Sequence, residues 1–301
     1  MAVGVESHSM DQLILRPGER RQAVLDLLRS ANRCASLSLF RCDDSRVLDE
    51  IVAASRRNVE VRVLITPRAR GWKKRLGTMV TLLQGVGVGV HQYDGPWPKY
   101  HAKYLVVDDE VALVSSMNLT RKCFEVTCDF MLKTRSPELV SGLATLFNFD
   151  WHTPGSTPPK LTDRLIIGPE EARSRLIALL ERARKRIRII DHRVSHPDVL
   201  VAIARSSLAG VRVDILGRGE VGALESHGKL ILIDNDVAIF GSASLSRPGL
   251  DVRREVAVVI DDVDTVEALS RFFDETFAGN AGRLGLSGPR AADPDEDDDE
   301  D

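Results

Sequence analysis

The chain has little cysteine and no long apolar run, and each shortage narrows what it can be. Its four cysteines, Cys34, Cys42, Cys123 and Cys128, all fall in the first half of 301 residues. They show neither CxxC spacing nor the even distribution of a disulfide scaffold, which points to a reduced compartment. No stretch approaches the roughly eighteen consecutive apolar residues that a membrane helix needs, and residues 1–16 lack a charged region followed by an apolar run. The expectation is a soluble, cytoplasmic protein whose contact with an anionic membrane, if it makes one, is peripheral. HExxH, paired cysteine ligands and an Asp-rich strand cluster are also missing, so no metal site and no cofactor are expected. There is no dense basic stripe and no stacking platform at a recognisable spacing, which weighs against a nucleic-acid grip.

What is present is a chain long enough, at 43% hydrophobic content, to bury a substantial core in one or two domains. The formal net charge of −3 is misleading, because residues 293–301 carry eight acids and leave the rest near +5. That acidic run has nothing apolar to anchor it and repels itself, so residues 281–301 are expected to form a disordered, solubilising tail. Residues 152–162 include His152-Thr153-Pro154-Gly155-Ser156-Thr157-Pro158-Pro159, the composition of a linker. The expected division is an N-terminal segment 1–15, a first unit 16–151, the linker 152–162, a second unit 163–280 and the tail.

The two units repeat each other. His101-Ala102-Lys103 with Asp108, Ser116 and Asn118 is echoed by His227-Gly228-Lys229 with Asp234, Ser242 and Ser244, at identical spacing. A lone His-x-Lys is close to noise, whereas two copies with matching downstream serines are not. Val61-Arg62-Val63-Leu64-Ile65 corresponds to Val211-Arg212-Val213-Asp214-Ile215, 150 positions on, while the histidines sit 126 apart. The first unit must therefore hold 24 extra residues between strand and motif. Pro17-Gly18-Glu19 and Pro169-Glu170-Glu171 read as Pro and acidic starts of equivalent amphipathic helices.

Each motif spans a hairpin: the runs 103–107 and 111–115 flank Asp109-Glu110, and 229–233 and 237–240 flank Asn235-Asp236. Two-residue loops would place His101 opposite Asn118, Lys103 opposite Ser116, His227 opposite Ser244 and Lys229 opposite Ser242, four polar side chains on one face per unit. Asp108 and Asp234 stand an odd seven positions after their histidines and should face away, bonding turn amides or a basic neighbour. Asp129 and Glu255, each 28 residues after a motif histidine, are better placed to orient the imidazoles by fixing the tautomer. Glu125 rivals Asp129 but breaks the repeat. Tyr93, Trp97, Tyr100 and Tyr104 could wall a cleft or simply pack under a loop. The basic run Arg68, Arg70, Lys73, Lys74 and Arg75 reads as a solvated helix start more readily than as an anionic-surface contact.

The doubled H-x-K-x4-D with x6-[GS]-S-x-[NS] resembles the HKD signature of the phospholipase D superfamily, and the likeness extends over nearly the whole chain. It implies an α/β fold of two pseudo-symmetric repeats, each a mixed β-sheet flanked by helices, meeting face to face with the active site at their interface. It implies catalytic roles for His101, Lys103, Asp108, His227, Lys229 and Asp234, with His101 as nucleophile and His227 as acid. Ser116, Asn118, Ser242 and Ser244, beside the lysines, would hold the substrate phosphate, and the chemistry requires no metal. Two departures stand out: Ser115 replaces the glycine usual before the first motif serine, and Ser244 replaces the usual asparagine. Asn118-Leu119-Thr120-Arg121 running to Asp129, with the closing residues 147–151, is similar to bacterial cardiolipin-synthase-related proteins. The resemblance implies a phosphodiesterase acting on phospholipid, by hydrolysis or phosphatidyl transfer. An HKD-type nuclease cleaving DNA or RNA and a non-catalytic nucleic-acid or membrane adaptor are the alternatives.

Overall fold

In the computed structural model, which describes residues 10–152 and 158–280, the repeat seen in the sequence becomes two matching sheets. The first half runs β1 (Asp11–Ile14), α1 (Pro17–Arg29), β2 (Cys34–Leu39), α2 (Ser45–Arg56), β3 (Glu60–Ile65), α3 (Lys73–Gly85), β4 (Gly89–Gln92), β5 (Lys99–Tyr100), β6 (Tyr104–Val107), β7 (Val111–Ser115), α4 (Arg121–Glu125), β8 (Thr127–Cys128), β9 (Met131–Thr134) and α5 (Pro137–His152). The second runs β10 (Leu165–Gly168), α6 (Ala172–Glu181), β11 (Arg186–Ile190), α7 (Pro197–Leu208), β12 (Arg212–Leu216), β13 (Glu220–Val221), β14 (Leu224–Ser226), β15 (Lys229–Ile233), β16 (Val237–Gly241), a π-helical turn Pro248–Val252, β17 (Arg253–Ile260) and α8 (Val263–Asn280).

The strand orders are β1-β9-β7-β6-β2-β3-β4 and β10-β17-β16-β15-β11-β12, the same topology except for β4. Both sheets mix parallel and antiparallel pairs, as expected. The 24 extra residues of the first half are accounted for by α3 and the edge strand β4. Asp11–Ile14, within the expected N-terminal segment 1–15, pairs antiparallel with β9 and so joins the first sheet. The helix announced by Pro169-Glu170-Glu171 starts at Ala172, with Glu171 at its cap position. The acidic tail and residues 153–157 of the linker lie outside the described residues.

Strands β2, β6 and β7 are almost wholly buried because α1, α2 and α3 cover one face of the sheet, while α5 and the other half cover the second. Helix α1 buries Val24, Leu25, Leu27 and Leu28 on one side, together with the charged Arg20. Three apolar clusters result. One lies under α1, α2 and α3, one under α6 and α7, and the third fills the space between the sheets, joining Leu132, Leu146 and Phe147 to Leu230, Phe240, Val258 and Phe273. Fully burying a large apolar side chain contributes about 1.5–3 kcal/mol to folding, and because this core draws on both halves it fixes how the two motifs approach.

The hairpins carry a correction. Val107 pairs with Val111 and Ile233 with Val237, so each loop has three residues, not two, and the register shifts by one. Asp108 and Asp109 adopt left-handed backbone angles (φ 54° and 57°), as does Asp234 (φ 52°), a conformation that Asp tolerates better than most residues. Each motif aspartate then turns its carboxylate back onto the chain entering the central strand. Asp108 accepts from the amides of Asn32, Arg33 and Cys34, and Asp234 from those of Arg184, Lys185 and Arg186. Burial alone would raise both carboxyls, yet these amide donors hold them below the ordinary value.

Candidate active site

Each motif histidine follows a short segment that crosses into the other half. Lys99 and Tyr100 run parallel with Arg253 and Arg254, and Glu225 and Ser226 run parallel with Thr127 and Cys128. Because 99, 100, 127 and 128 each lie 126 positions before 225, 226, 253 and 254, these are two copies of one contact related by the pseudo-twofold. The exchange delivers each imidazole to the acid of the opposite half. His101 Nδ1 is 2.8 and 2.9 Å from the Glu255 carboxylate oxygens, and His227 Nδ1 is 2.9 and 3.1 Å from those of Asp129. The 28-residue spacing counts each acid from the histidine of its own half; the fold swaps the partners.

Both acids are fully enclosed. Burial works to raise them, but the facing imidazoles and their hydrogen bonds hold Asp129 well below the carboxylate range and Glu255 below its ordinary value. Ionised carboxylates at Nδ1 keep the ring proton there, leaving Nε2 of each histidine for chemistry. Asp129 is further fixed by Ser116 Oγ, which donates at 2.7 Å, and by Thr127. Arg20, at a position of the apolar stripe of α1, wraps the same segment by donating to the carbonyls of Cys123, Thr127 and Asp129.

The remaining ends of the two rings differ. His101 Nε2 accepts from Lys103 Nζ at 2.9 Å, and its ring abuts the edge of Phe40, 4.6 Å between centroids. His227 Nε2 has no hydrogen-bond partner among the described residues and borders a cavity of about 20 Å³, together with Arg41, Asn118 and Lys122. Arg41 and Asn118 also line a neighbouring cavity against Lys103. Lys229 Nζ and Asn118 Oδ1 are likewise buried without hydrogen bonds among the described residues. Buried polar atoms left unpaired in this way are what a bound anion or its donors would satisfy.

The register shift rearranges the expected phosphate ligands. Lys103 lies opposite Ser115 and Lys229 opposite Gly241. The hydroxyls of Ser116 and Ser242 stitch neighbouring strands: Ser116 to Asp129 and the Phe130 amide, Ser242 to the backbone of Val256. Ser244 shares a hydrogen bond with Ser246 at 2.8 Å. Of the four residues expected at the phosphate, Asn118 alone offers an unengaged polar atom to a cavity. Asp108 and Asp234, counted with the catalytic set, spend their carboxylates on backbone amides. Glu125 is on the surface with Arg21 and Arg121, away from the imidazoles. Tyr100 and Tyr104 are wholly buried, so packing under the loop accounts for those aromatics.

Arg20, Phe40 and Arg41 were not anticipated. Arg20 leaves a trace in sequence, a cation on the apolar face of a helix, whereas Arg41 and Phe40 follow β2 with nothing to mark them. Cys123, Asp129 and His227 bring one donor atom each within 4.8 Å of one another. The Asp129 oxygens are already engaged with His227, Ser116 and Thr127, and burial pushes the Cys123 thiol up to about 12, so the trio fits an oriented imidazole better than a metal.

The fold and site define a duplicated α/β protein in which paired His-x-Lys motifs meet at the interface of its halves. The chain belongs to the phospholipase D-like family described as "Cardiolipin synthase, PLD-like domain", whose profile matches residues 24–151 and 219–277, more than half of its length. It is 26% identical over 241 residues to a polyphosphate kinase of Burkholderia lata, covering 69% of this chain and 34% of that protein. The match to the Pseudomonas aeruginosa polyphosphate kinase is 26% over 231 residues, 70% of this chain and 33% of that one. The chain thus spans about a third of these relatives. Two solved structures share the fold. Polyphosphate kinase from Porphyromonas gingivalis superposes with a TM-score of 0.73 at 18% identity, over 88% of this chain and 50% of that one. Phosphatidylserine synthase from Haemophilus influenzae gives 0.71 at 14%, over 92% and 87%.

Proposed function

We propose that the chain is an enzyme of phosphodiester chemistry that works through a phosphohistidine, with phospholipid as its substrate. The observation that carries this reading is the crossed pair of carboxylate-held imidazoles, Glu255 on His101 and Asp129 on His227. In this reading the Lys103 ammonium, 2.9 Å away, donates to His101 Nε2, which then carries the lone pair of the neutral tautomer a nucleophile requires. His101 Nε2 attacks phosphorus, the bond from phosphorus to the leaving oxygen breaks, and protonated His227 gives its Nε2 proton to that oxygen. His227, now neutral, takes a proton from water or an acceptor alcohol, which attacks the phosphohistidine, breaks the P–N bond and frees His101. Lys103, Lys229 and Arg41, with the side-chain NH2 of Asn118, donate to the non-bridging oxygens.

Phospholipid is favoured by the family description and by the phosphatidylserine synthase, whose chain is matched almost end to end. A second reading, transfer of phosphate from a polyphosphate or nucleotide chain, is favoured by the sequence relatives and by the enclosed cation Arg41 at the cavity. The test is to present phosphatidylglycerol vesicles, polyphosphate with ADP, and a labelled oligonucleotide in parallel, quenching in alkali, where phosphohistidine survives. An adduct on His101 with vesicles alone supports the first reading. An adduct with polyphosphate alone shifts the substrate, cleavage of the oligonucleotide alone makes it a nuclease, and no adduct with any of them removes the phosphohistidine.

A further inference from the structure

The crossing contact behind His101 is not matched on the other side of the pseudo-twofold. Position 254 is arginine, whereas its counterpart, 126 positions earlier, is Cys128. The Arg254 guanidinium is buried and bridges the halves. Its Nε lies 3.1 Å from Asp150 of α5, whose carboxylate is completely enclosed, and its Nη1 donates to Glu170 at 2.7 and 2.9 Å and to the Gly168 carbonyl at 3.0 Å. Glu170 also accepts from Trp97 of the first half. The backbone of the same residue meets the catalytic histidine directly, because the His101 amide donates to the Arg254 carbonyl at 2.9 Å. The next residue is Glu255, which holds the His101 ring.

We infer that Arg254, clamped between Asp150 of one half and Glu170 of the other, is a positioning residue that fixes the Lys99–His101 segment against Arg253–Glu255 and so sets the geometry of the His101–Glu255 pair. The physical reason is that a buried guanidinium lying 3.1 Å from Asp150 across the halves and hydrogen-bonded through Nη1 to Glu170 resists sliding along the strand, while the parallel pairing of only two residues gives little register of its own. At the His227–Asp129 pair the halves are joined instead by the more exposed Lys122–Glu225 ion pair, and the Asp129 segment is held by Ser116, Thr127 and Arg20. The inference rests on the phosphohistidine reading for its kinetic consequence and on the fold alone for its structural one.

The test pairs two variants. Removing one partner leaves a buried unpaired charge, so the double variant Arg254→Met with Asp150→Leu removes both; exchanging a buried pair for apolar side chains is often neutral for stability. Arg254→Lys keeps the charge and loses the fork. The first readout needs no substrate: the downfield proton resonance of His101 Nδ1–H, assigned through His101→Asn. The second is the rate of adduct formation on His101. In the folded double variant the resonance broadens or disappears and the adduct rate falls about tenfold or more, with KM unchanged, a loss typical of disturbing a group that orients a catalytic ring; Arg254→Lys is intermediate. A folded double variant with resonance and rate within about twofold of the parent overturns the inference. Should the double variant not fold, an unchanged resonance in Arg254→Lys overturns it equally. If no substrate labels the parent protein yet the resonance responds, the reading of function fails and the positioning role stands.

Discussion

The two halves carry the same motif on the same strands, yet their imidazoles end in different surroundings. His101 is walled by Phe40, bonded at Nε2 by Lys103 and backed by Arg254, whereas His227 shows an unbonded Nε2 to a small cavity. Duplication supplies two equivalent histidines. What surrounds them differs, and the proposed division into a nucleophile and a proton carrier rests on that difference. The glycines tell the same story at lower stakes. Ser115 fits in the first half with its hydroxyl bonded to the Met117 carbonyl, while at the equivalent Gly241 an added Cβ would come within 2.2 Å of the Val256 carbonyl oxygen.

The comparison is broken or sharpened most strongly at the histidines. Asn at either position should lower turnover by about 10³-fold or more, as for residues that act as a unit, but rapid-quench labelling should show no adduct in His101→Asn and an accumulating one in His227→Asn. The reverse pattern would exchange their roles. Next come the orienting acids: Glu255→Gln and Asp129→Asn should each cost about 10–100-fold in kcat. Asp129→Asn should also lower the Tm more than Glu255→Gln, because that carboxylate holds Ser116 and Thr127 as well as the ring; equal shifts in differential scanning calorimetry would contradict this.

The same acids set a pH dependence. A carboxyl held below its unfolded value binds fewer protons in the folded state, so its contribution is complete above the unfolded pKa and is lost as pH falls through the folded one. With ordinary values of 3.8 for Asp129 and 4.5 for Glu255, the stability gap between the parent and either amide variant should narrow as pH falls below about 4.5. Urea titrations across that range check the sign. Smaller again, Asp108→Ala and Asp234→Ala should each destabilise by about 1–3 kcal/mol through orphaned amides while leaving the activity of the folded fraction unchanged; a loss on the scale of the histidine variants would restore them to the chemistry. Least of all, Ser115→Gly should move Tm little, whereas Gly241→Ser should lower it clearly.

Much of the site was legible because its residues are local signals repeated at fixed spacing: the motif histidines and lysines, the two acids, and the turn role of Asp108 and Asp234. The pairing across the hairpins was read less well. One additional loop residue shifts the register, and because side chains alternate along a strand, Ser116 and Ser242 no longer lie opposite the lysines and their hydroxyls bond neighbouring strands. Arg41 and Phe40 lay outside any pattern, since their place beside His101 and the cavity arises only when β2 packs next to β6.

By itself the sequence determined the duplication, the α/β alternation, the insertion in the first half and the residue types of the paired motifs, since each is written in periodicity and spacing along the chain. Only the tertiary structure decided which acid serves which histidine. Glu255 and His101 are 154 positions apart, and no local propensity records that two crossing segments exchange partners. That pairing is fixed by the apolar core shared between the sheets, a property of the assembled halves and of neither one alone.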